Sequence, residues 1–244
     1  MCRRAGLGIV HSKEYWNERY AGMDERELKG VLYEQVARIT RAAASPRRLE
    51  LIEVLVQGEK TVEQLAADTD VSVKLASAHL KALREARLVE ARRAGRHVHY
   101  RLADRHVADF WVMLRTLAEE RLLELQAATR ELTECVDELA PVAGPELLEQ
   151  ARRGEVVVLD VRPGVEYAAG HLPCARSIPL QELNQRLQEL PADRPVVAYC
   201  RGPYCLMAKE AVALLREHGI AAQRVEEGVA EWRHAGLPLA DEQD

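Results

Sequence analysis

The run Cys200-Arg-Gly-Pro-Tyr-Cys205 places two thiols at the ends of a turn signal. Pro195-Val-Val-Ala-Tyr before it reads as a short buried strand, and Leu206 to His218 after it has the apolar spacing of a helix. A thiol at the carboxyl end of a strand, on a loop entering a helix, faces free backbone N–H groups and the positive end of the helix dipole. That setting is expected to lower the pKa of Cys200 and favour an anionic sulfur, and Cys205, which opens the helix, is open to the same effect. The expected chemistry of such a thiolate is nucleophilic. Backbone N–H groups from Arg201 to Cys205 would hold the anion, except at Pro203, which has none. Arg201 adds positive charge at the entrance.

A second set of residues points to nucleic acid. Between Ser72 and Arg101, Lys74, Lys81, Arg84, Arg87, Arg92, Arg93, Arg96 and Arg101 face only Glu85 and Glu90, a local charge of +6. The chain as a whole carries −5, and Glu119 to Glu149 alone carries −7. A basic segment on an acidic chain is an electrostatic footprint for a polyanion. Ser72 can cap a helix and stands with the DNA-facing candidates Lys74, Ser77, Ala78 and Lys81, which can share one face, with Leu75, Leu80 and Leu83 expected on the core side. Arg92, Arg93 and Arg96 tip a hairpin around Gly95.

The 244 residues leave room for two domains. Residues 1–24 read as an N-terminal arm. A helix is expected from Glu25 to about Ala44, then Ser45-Pro46 caps the next through Val56. Thr61-Val-Glu-Gln64 has capping-box spacing, Asp68-Thr-Asp70 is a turn, and Val73 to Ala86 is another helix. Leu88–Glu90 and His97–Leu102 alternate as strands, and one long helix is expected from Val107 to about Ala140. Residues 141–145 read as a linker. From 146 to 240 strands alternate with helices: Glu155–Val161, Pro195–Cys200 and Ala222–Val225 as strands, Glu146–Arg152, Leu180–Glu189 and Leu206–Glu217 as helices. The fold class is therefore two domains, a mainly α winged helix-turn-helix over 25–140 followed by an α/β parallel sheet.

No apolar run approaches the ~20 residues that cross a bilayer, and the apolar stretch near the N-terminus is too short for a signal peptide. Five scattered cysteines (Cys2, Cys135, Cys174, Cys200, Cys205) suit a cytoplasmic chain with reactive thiols better than a secreted scaffold. No cofactor and no membrane partner is expected.

Ser45-Pro-Arg-Arg-Leu-Glu-Leu51, Thr61-Val-Glu-Gln-Leu-Ala66, Ser77-Ala-His-Leu-Lys-Ala-Leu-Arg-Glu-Ala86 and Gly95-Arg-His-Val-His-Tyr-Arg-Leu102 resemble the ArsR family of bacterial repressors. The resemblance implies a homodimer built on the long helix and a two-fold double-stranded operator. Many members sense metals. Thr61 to Thr69 holds no cysteine, and Asp104-Arg-His106 offers only half of another family site because Leu117 and Glu120 stand at its partner positions, so no metal site is expected.

Leu159-Asp-Val-Arg162, Glu166-Tyr-Ala-Ala-Gly-His-Leu-Pro173, Ala175-Arg-Ser-Ile-Pro-Leu180, Tyr199-Cys-Arg201 and Gly228-Val-Ala-Glu-Trp232 resemble a rhodanese domain. This implies that Cys200 becomes a persulfide. Asp160 and Arg162 match the family's strand-end pair, read first as structural and second as substrate electrostatics. Glu166 and His171 read as architectural, Cys174 as a small filler, and Cys135 as a buried thiol or a second sulfur acceptor. Cys205 departs from the family pattern and suggests a resolving thiol.

Three functions follow as expectations. One is a DNA-binding repressor that senses or relays reactive sulfur, taking it from thiosulfate, polysulfide or a low-molecular-weight persulfide. The alternatives are a working sulfurtransferase tethered to a DNA-binding domain, and a metal- or arsenic-responsive repressor with an accessory rhodanese domain.

Overall fold

The computed structural model describes residues 20–133, 144–191 and 193–241. Most of the expected arm, Cys2, Cys135, the expected helix end at Ala140 and residues 141–143 lie outside the described residues. The chain divides into two units, one ending at Ala44 and one running from Ser45. In the first, helix α1 (Glu25–Ala43) opens on a reciprocal capping box, in which the Glu27 N–H donates to Asp24 at 2.8 Å and the Asp24 N–H donates to Glu27 at 2.9 Å.

The second unit starts with α2 (Pro46–Val56). Pro46 occupies its first turn as expected, but the Ser45 side chain makes no capping bond. The Thr61/Gln64 box does form and starts α3 (Val62–Asp68), and Ser72 accepts the Leu75 N–H to start α4 (Val73–Glu85). Strands β2 (Val89–Ala94) and β3 (His97–Leu102) make the wing. An unexpected strand β1 (Lys60–Thr61) pairs with β3, giving the antiparallel order β1-β3-β2.

The expected single long helix is two. Leu122 adopts φ −110° and ψ 106°, which separates α5 (Arg105–Arg121) from α6 (Leu123–Thr133). The Gln126 amide reaches back across the break to the Glu119 carbonyl at 2.7 Å, satisfying a carbonyl near the end of α5.

The C-terminal sheet is parallel, in the order β5-β4-β6-β7, with β4 (Val157–Asp160), β5 (Arg176–Ser177), β6 (Val196–Tyr199) and β7 (Ala222–Arg224). Both faces are covered, so its strands read as continuous apolar runs. The two-residue side-chain period sends Val157, Leu159, Val196, Ala198 and Cys200 to one core, with α9 (Leu180–Leu183) and α10 (Met207–Glu217) contributing Leu183, Ala208, Val212 and Leu215. Val158, Val197 and Tyr199 enter the other core, with Leu147 and Leu148 of α7 (Gly144–Arg152) and Trp232 of α11 (Val229–His234). α8 (Gly164–Ala168) follows β4. Leu180–Glu189 is not one helix: α9 stops at Leu183, and a 3-10 turn covers Leu187–Glu189. Strand β5 is two residues long, too short to show a periodicity in sequence.

Candidate functional site

The loop 200–205 leaves β6 and enters α10, as its sequence position requires. Its two sulfurs differ from the expectation. Cys200 is only 3% exposed, and its thiol donates to the Cys205 carbonyl at 3.4 Å. The Cys205 N–H is spent on the Gly202 carbonyl at 3.1 Å, so it does not serve the Cys200 sulfur. The hydrogen bond from Cys200 to Cys205, reinforced by burial, pushes the Cys200 thiol well above the ordinary range, and the N–H groups of Ala208 and Gly202 do not offset it. Cys205 is half-buried. Its pKa falls to about 6 because the Cys200 thiol donates to it, and because the N–H groups of Arg201 and Met207 and the Arg201 charge stabilise the anion.

Arg201 does not stand free at an entrance. Its Nε donates to Glu166 Oε1 and Oε2 at 3.1 Å, and its Nη2 donates to Glu166 Oε1 at 2.6 Å and to Asp68 Oδ1 at 3.0 Å. Glu166 lies on α8, whereas Asp68 is the last residue of α3 in the helix-turn-helix. Lys60 closes the circuit, 2.7 Å from Glu166 and 3.0 Å from Asp68, with only 5% of its side chain exposed. Two cations and two carboxylates are thus exchanged across the junction of the two halves.

Asp160 and Arg162 are fully buried and paired, Arg162 Nη2 lying 2.6 Å from Asp160 Oδ2. Tyr199 donates to the same carboxylate. Arg162 also donates to the Gly170 carbonyl at 2.9 Å and to Gln57 Oε1 at 2.9 Å, which fits an architectural role. Gln57, beyond the end of α2, uses its other amide atom to donate to the Arg201 carbonyl at 3.1 Å. Gly58 follows at φ +141°, and a Cβ there would stand 3.1 Å from that of Ala169. His171 stacks on Tyr167 and bridges Ala240 through its backbone, which also fits an architectural role. Cys174 is no filler: it is exposed at φ +65°, in the left-handed region.

Residues that the sequence did not single out complete the wall of the loop. Arg115 of α5, 5% exposed, lies 2.8 Å from Glu231 of α11 and over the Tyr204 ring at 5.7 Å. Glu53 of α2 is raised to about 7, chiefly by burial, against the opposing charge of Arg115 and with the negative charges of Cys205 and Glu231 adding to the rise. Gly228 admits no side chain, since a Cβ would fall 2.7 Å from the Arg201 carbonyl oxygen and 2.8 Å from that of Cys200. Its place in the Gly-Val-Ala-Glu-Trp run was the only signal available for any of these.

On the DNA-facing candidate, Lys74, Ser77, Ala78 and Lys81 are exposed, as one helix face requires, and so is the N-cap Ser72. Leu75 is 43% exposed, contrary to expectation, because the core row of α4 is Ala76, Leu80 and Leu83, spaced four and three apart. Arg92, Arg93 and Arg96 are exposed on the wing, although Arg92 is paired with Glu59. Asp104 caps α5 by accepting the His106 N–H at 2.8 Å. Among the described residues no cluster of three His, Cys, Asp or Glu side chains could hold a metal ion, and no helix is long and apolar enough to cross a membrane.

Residues 45–91 match the family described as bacterial regulatory protein, arsR family, and residues 144–235 match the rhodanese-like domain. The HTH-type transcriptional regulator Rv0324 of Mycobacterium tuberculosis is 43% identical over 219 residues, spanning 90% of this chain and 95% of that protein. A protein named sulfurtransferase from Allochromatium vinosum is 33% identical over 86 residues, 35% of this chain and 78% of its own. Among solved structures, the homodimeric winged helix-turn-helix DNA-binding domain of Mb0332 from Mycobacterium bovis is 41% identical, with a TM-score of 0.39, covering 43% of this chain and 94% of that one. With the helix-turn-helix and wing on one side of the charged junction and the cysteine loop on the other, the chain belongs to the ArsR family of transcriptional regulators and carries a rhodanese-like domain at its C-terminal end.

Proposed function

We propose that this regulator represses as a homodimer on a two-fold operator, and that sulfane sulfur lodged on Cys200 changes its affinity for DNA. The observation that carries this reading is the seating of the cysteine loop on the helix-turn-helix, through Arg201 to Asp68 and Gln57 to the Arg201 carbonyl. Asp68 ends α3, and the turn after it leads into α4 and its exposed Lys74, Ser77 and Lys81. A change of charge or bulk on the loop therefore bears on the element that would enter the major groove. A tenfold change in operator affinity needs only about 1.4 kcal/mol of difference between loaded and unloaded states.

Dimerisation is supported by apolar side chains left in solvent on α5 and α6, with Met113 61%, Leu117 53% and Leu123 75% exposed. The sulfur step is thiolate exchange: a cysteine thiolate takes the outer sulfur of a persulfide R–S–SH, forming Cys–S–SH and releasing R–S⁻. Thiosulfate or polysulfide would donate in the same way, releasing sulfite or a shortened polysulfide.

An operator titration with and without a low-molecular-weight persulfide, on wild type and Cys200→Ser, tests the reading. Wild type should change affinity at least tenfold on loading and the variant should not. Equal changes in both would remove Cys200 from the signal.

A further inference from the structure

We infer that Arg115, contributed by α5 of the N-terminal half, is a positioning residue for sulfur transfer, holding the peptide groups of the cysteine loop where an incoming sulfur needs them. The inference rests on the proposed role of Cys200 as the storage site. It adds that the loop is completed by a side chain from outside the rhodanese-like domain. Arg115 meets the loop at three points. Its guanidinium carbon lies 5.7 Å from the centre of the Tyr204 ring. A Cβ at Gly202 would stand 3.7 Å from Arg115 Nη1 and 3.4 Å from Glu231 Oε2, so the cation and its partner lie against that peptide. The third contact runs through Glu231, whose Oε1 is 2.8 Å from Arg115 Nη2 and whose Oε2 accepts the Gly228 N–H at 2.7 Å. Gly228 in turn packs on the carbonyl groups of Cys200 and Arg201. One buried cation therefore braces the loop at Cys200, Gly202 and Tyr204.

The guanidinium is itself held in place. Trp111 and Glu119 stand one turn before and one turn after it on α5, on the same helix face. The Trp111 ring centre is 5.9 Å from the guanidinium carbon, and Glu119 is 3.5 Å from Arg115 Nε. Only 4% of the Arg115 side chain is exposed. Asp109 of α5 meets His234 of α11 at 3.2 Å, a second tie between the same two helices. Glu53 of α2 and Arg201 complete the charges around this point. A long side chain clamped in this way loses its rotamer freedom on folding, so none is lost at the transfer step.

Gly202 is the peptide that matters most. Its N–H and that of Ala208 act on the Cys200 sulfur, while its carbonyl accepts the Cys205 N–H at 3.1 Å. In the transfer, the Cys200 thiolate forms a bond to the outer sulfur of R–S–SH, the old S–S bond breaks, and its electron pair leaves with R–S⁻. There is no net oxidation. Negative charge is spread over three sulfurs at the midpoint, and donors already in place stabilise it without reorganising. Displacing such donors by about 1 Å costs up to about a hundredfold in rate.

Peptide mass spectrometry of the loop, after timed mixing of the full chain with glutathione persulfide, tests the role. Arg115→Met alone strands Glu231 without its cation, so the informative protein is Arg115→Met with Glu231→Gln, which restores the charge balance and keeps an acceptor for the Gly228 N–H. Folded at the assay temperature by circular dichroism, this double variant should load Cys200 at least about tenfold more slowly than wild type. Arg115→Lys keeps the charge and its pair with Glu231 and should recover most of the rate. A double variant that loads within about threefold of wild type, or a lysine variant as slow as the double, would overturn the role of Arg115. Operator affinity of wild type loaded to completion separates the two ideas. Unchanged DNA binding with the stated order of rates sinks the sensing role alone. A DNA response in wild type beside a fast-loading double variant sinks the role of Arg115 alone.

Discussion

Replacing Lys60 by methionine removes one of the four charges that join the two halves of the folded unit. Lys60 Nζ is 2.7 Å from Glu166 and 3.0 Å from Asp68, and the side chains are 5%, 1% and 23% exposed in that order. Methionine matches the length of the stem but leaves two carboxylates to share Arg201, so the junction acquires an unpaired negative charge. Breaking a buried pair from one side costs about 3–5 kcal/mol. Because Asp68 keeps some contact with water, the lower end applies, about 3 kcal/mol. In a unit of roughly two hundred residues that corresponds to a fall in Tm of about 6–12 °C. Urea denaturation followed by tryptophan fluorescence measures it. The double variant Lys60→Met with Glu166→Gln restores neutrality and should recover at least about 1.5 kcal/mol of the loss. A loss below about 1 kcal/mol, or a double variant no more stable than the single one, would refute the view that these charges are desolvated against one another.

Glu53 gives the protein a pH dependence of its own. Its carboxyl titrates at about 7 when folded and near 4.5 when unfolded, so the folded state binds the extra proton between those values and loses stability as pH rises through them. Glu53→Gln should gain on wild type by up to about 3 kcal/mol by pH 8 and by little at pH 5; a difference that stays constant with pH would contradict the assignment. Gly228→Ala forces a methyl to within 2.7 Å of the Arg201 carbonyl oxygen, which is backbone and cannot swing aside. A cost of about 1–3 kcal/mol and slower persulfide uptake are expected, and unchanged melting and uptake would show that the loop is not seated there. Arg93→Ala on the wing should reduce the slope of log affinity against log salt by about 1 if Arg93 meets a phosphate; parallel plots would place it off the DNA.

Much of this arrangement was legible along the chain because its signals are local. The Thr61/Gln64 and Ser72 caps start their helices where the residue types say they should, and the alternation Val157, Val158, Leu159 sorts onto two cores as a period of two requires. The misses have non-local causes. Leu75 was placed inside because leucine is apolar, yet the row of Ala76, Leu80 and Leu83 already fills that face. The break at Leu122 carries neither proline nor glycine and is bridged by the Gln126 to Glu119 bond, a contact no local signal announces. The strand-loop-helix pattern located the two sulfurs but could not say that the Cys200 thiol would meet the Cys205 carbonyl at 3.4 Å. Arg201 was read as a substrate-side charge because its partner Asp68 lies 133 residues earlier.

Gln57 is 3% exposed and holds Arg162 with its oxygen and the Arg201 carbonyl with its nitrogen. One amide therefore belongs to the hydrogen-bond inventory of both halves, and neither half can open locally without stranding a buried group in the other. In hydrogen-exchange terms, the end of α2, the strand-end pair and the cysteine loop form a single cooperative unit, although they come from sequence regions that share no family. The chain joins two recognisable modules, but the boundary along which it comes apart does not run between them.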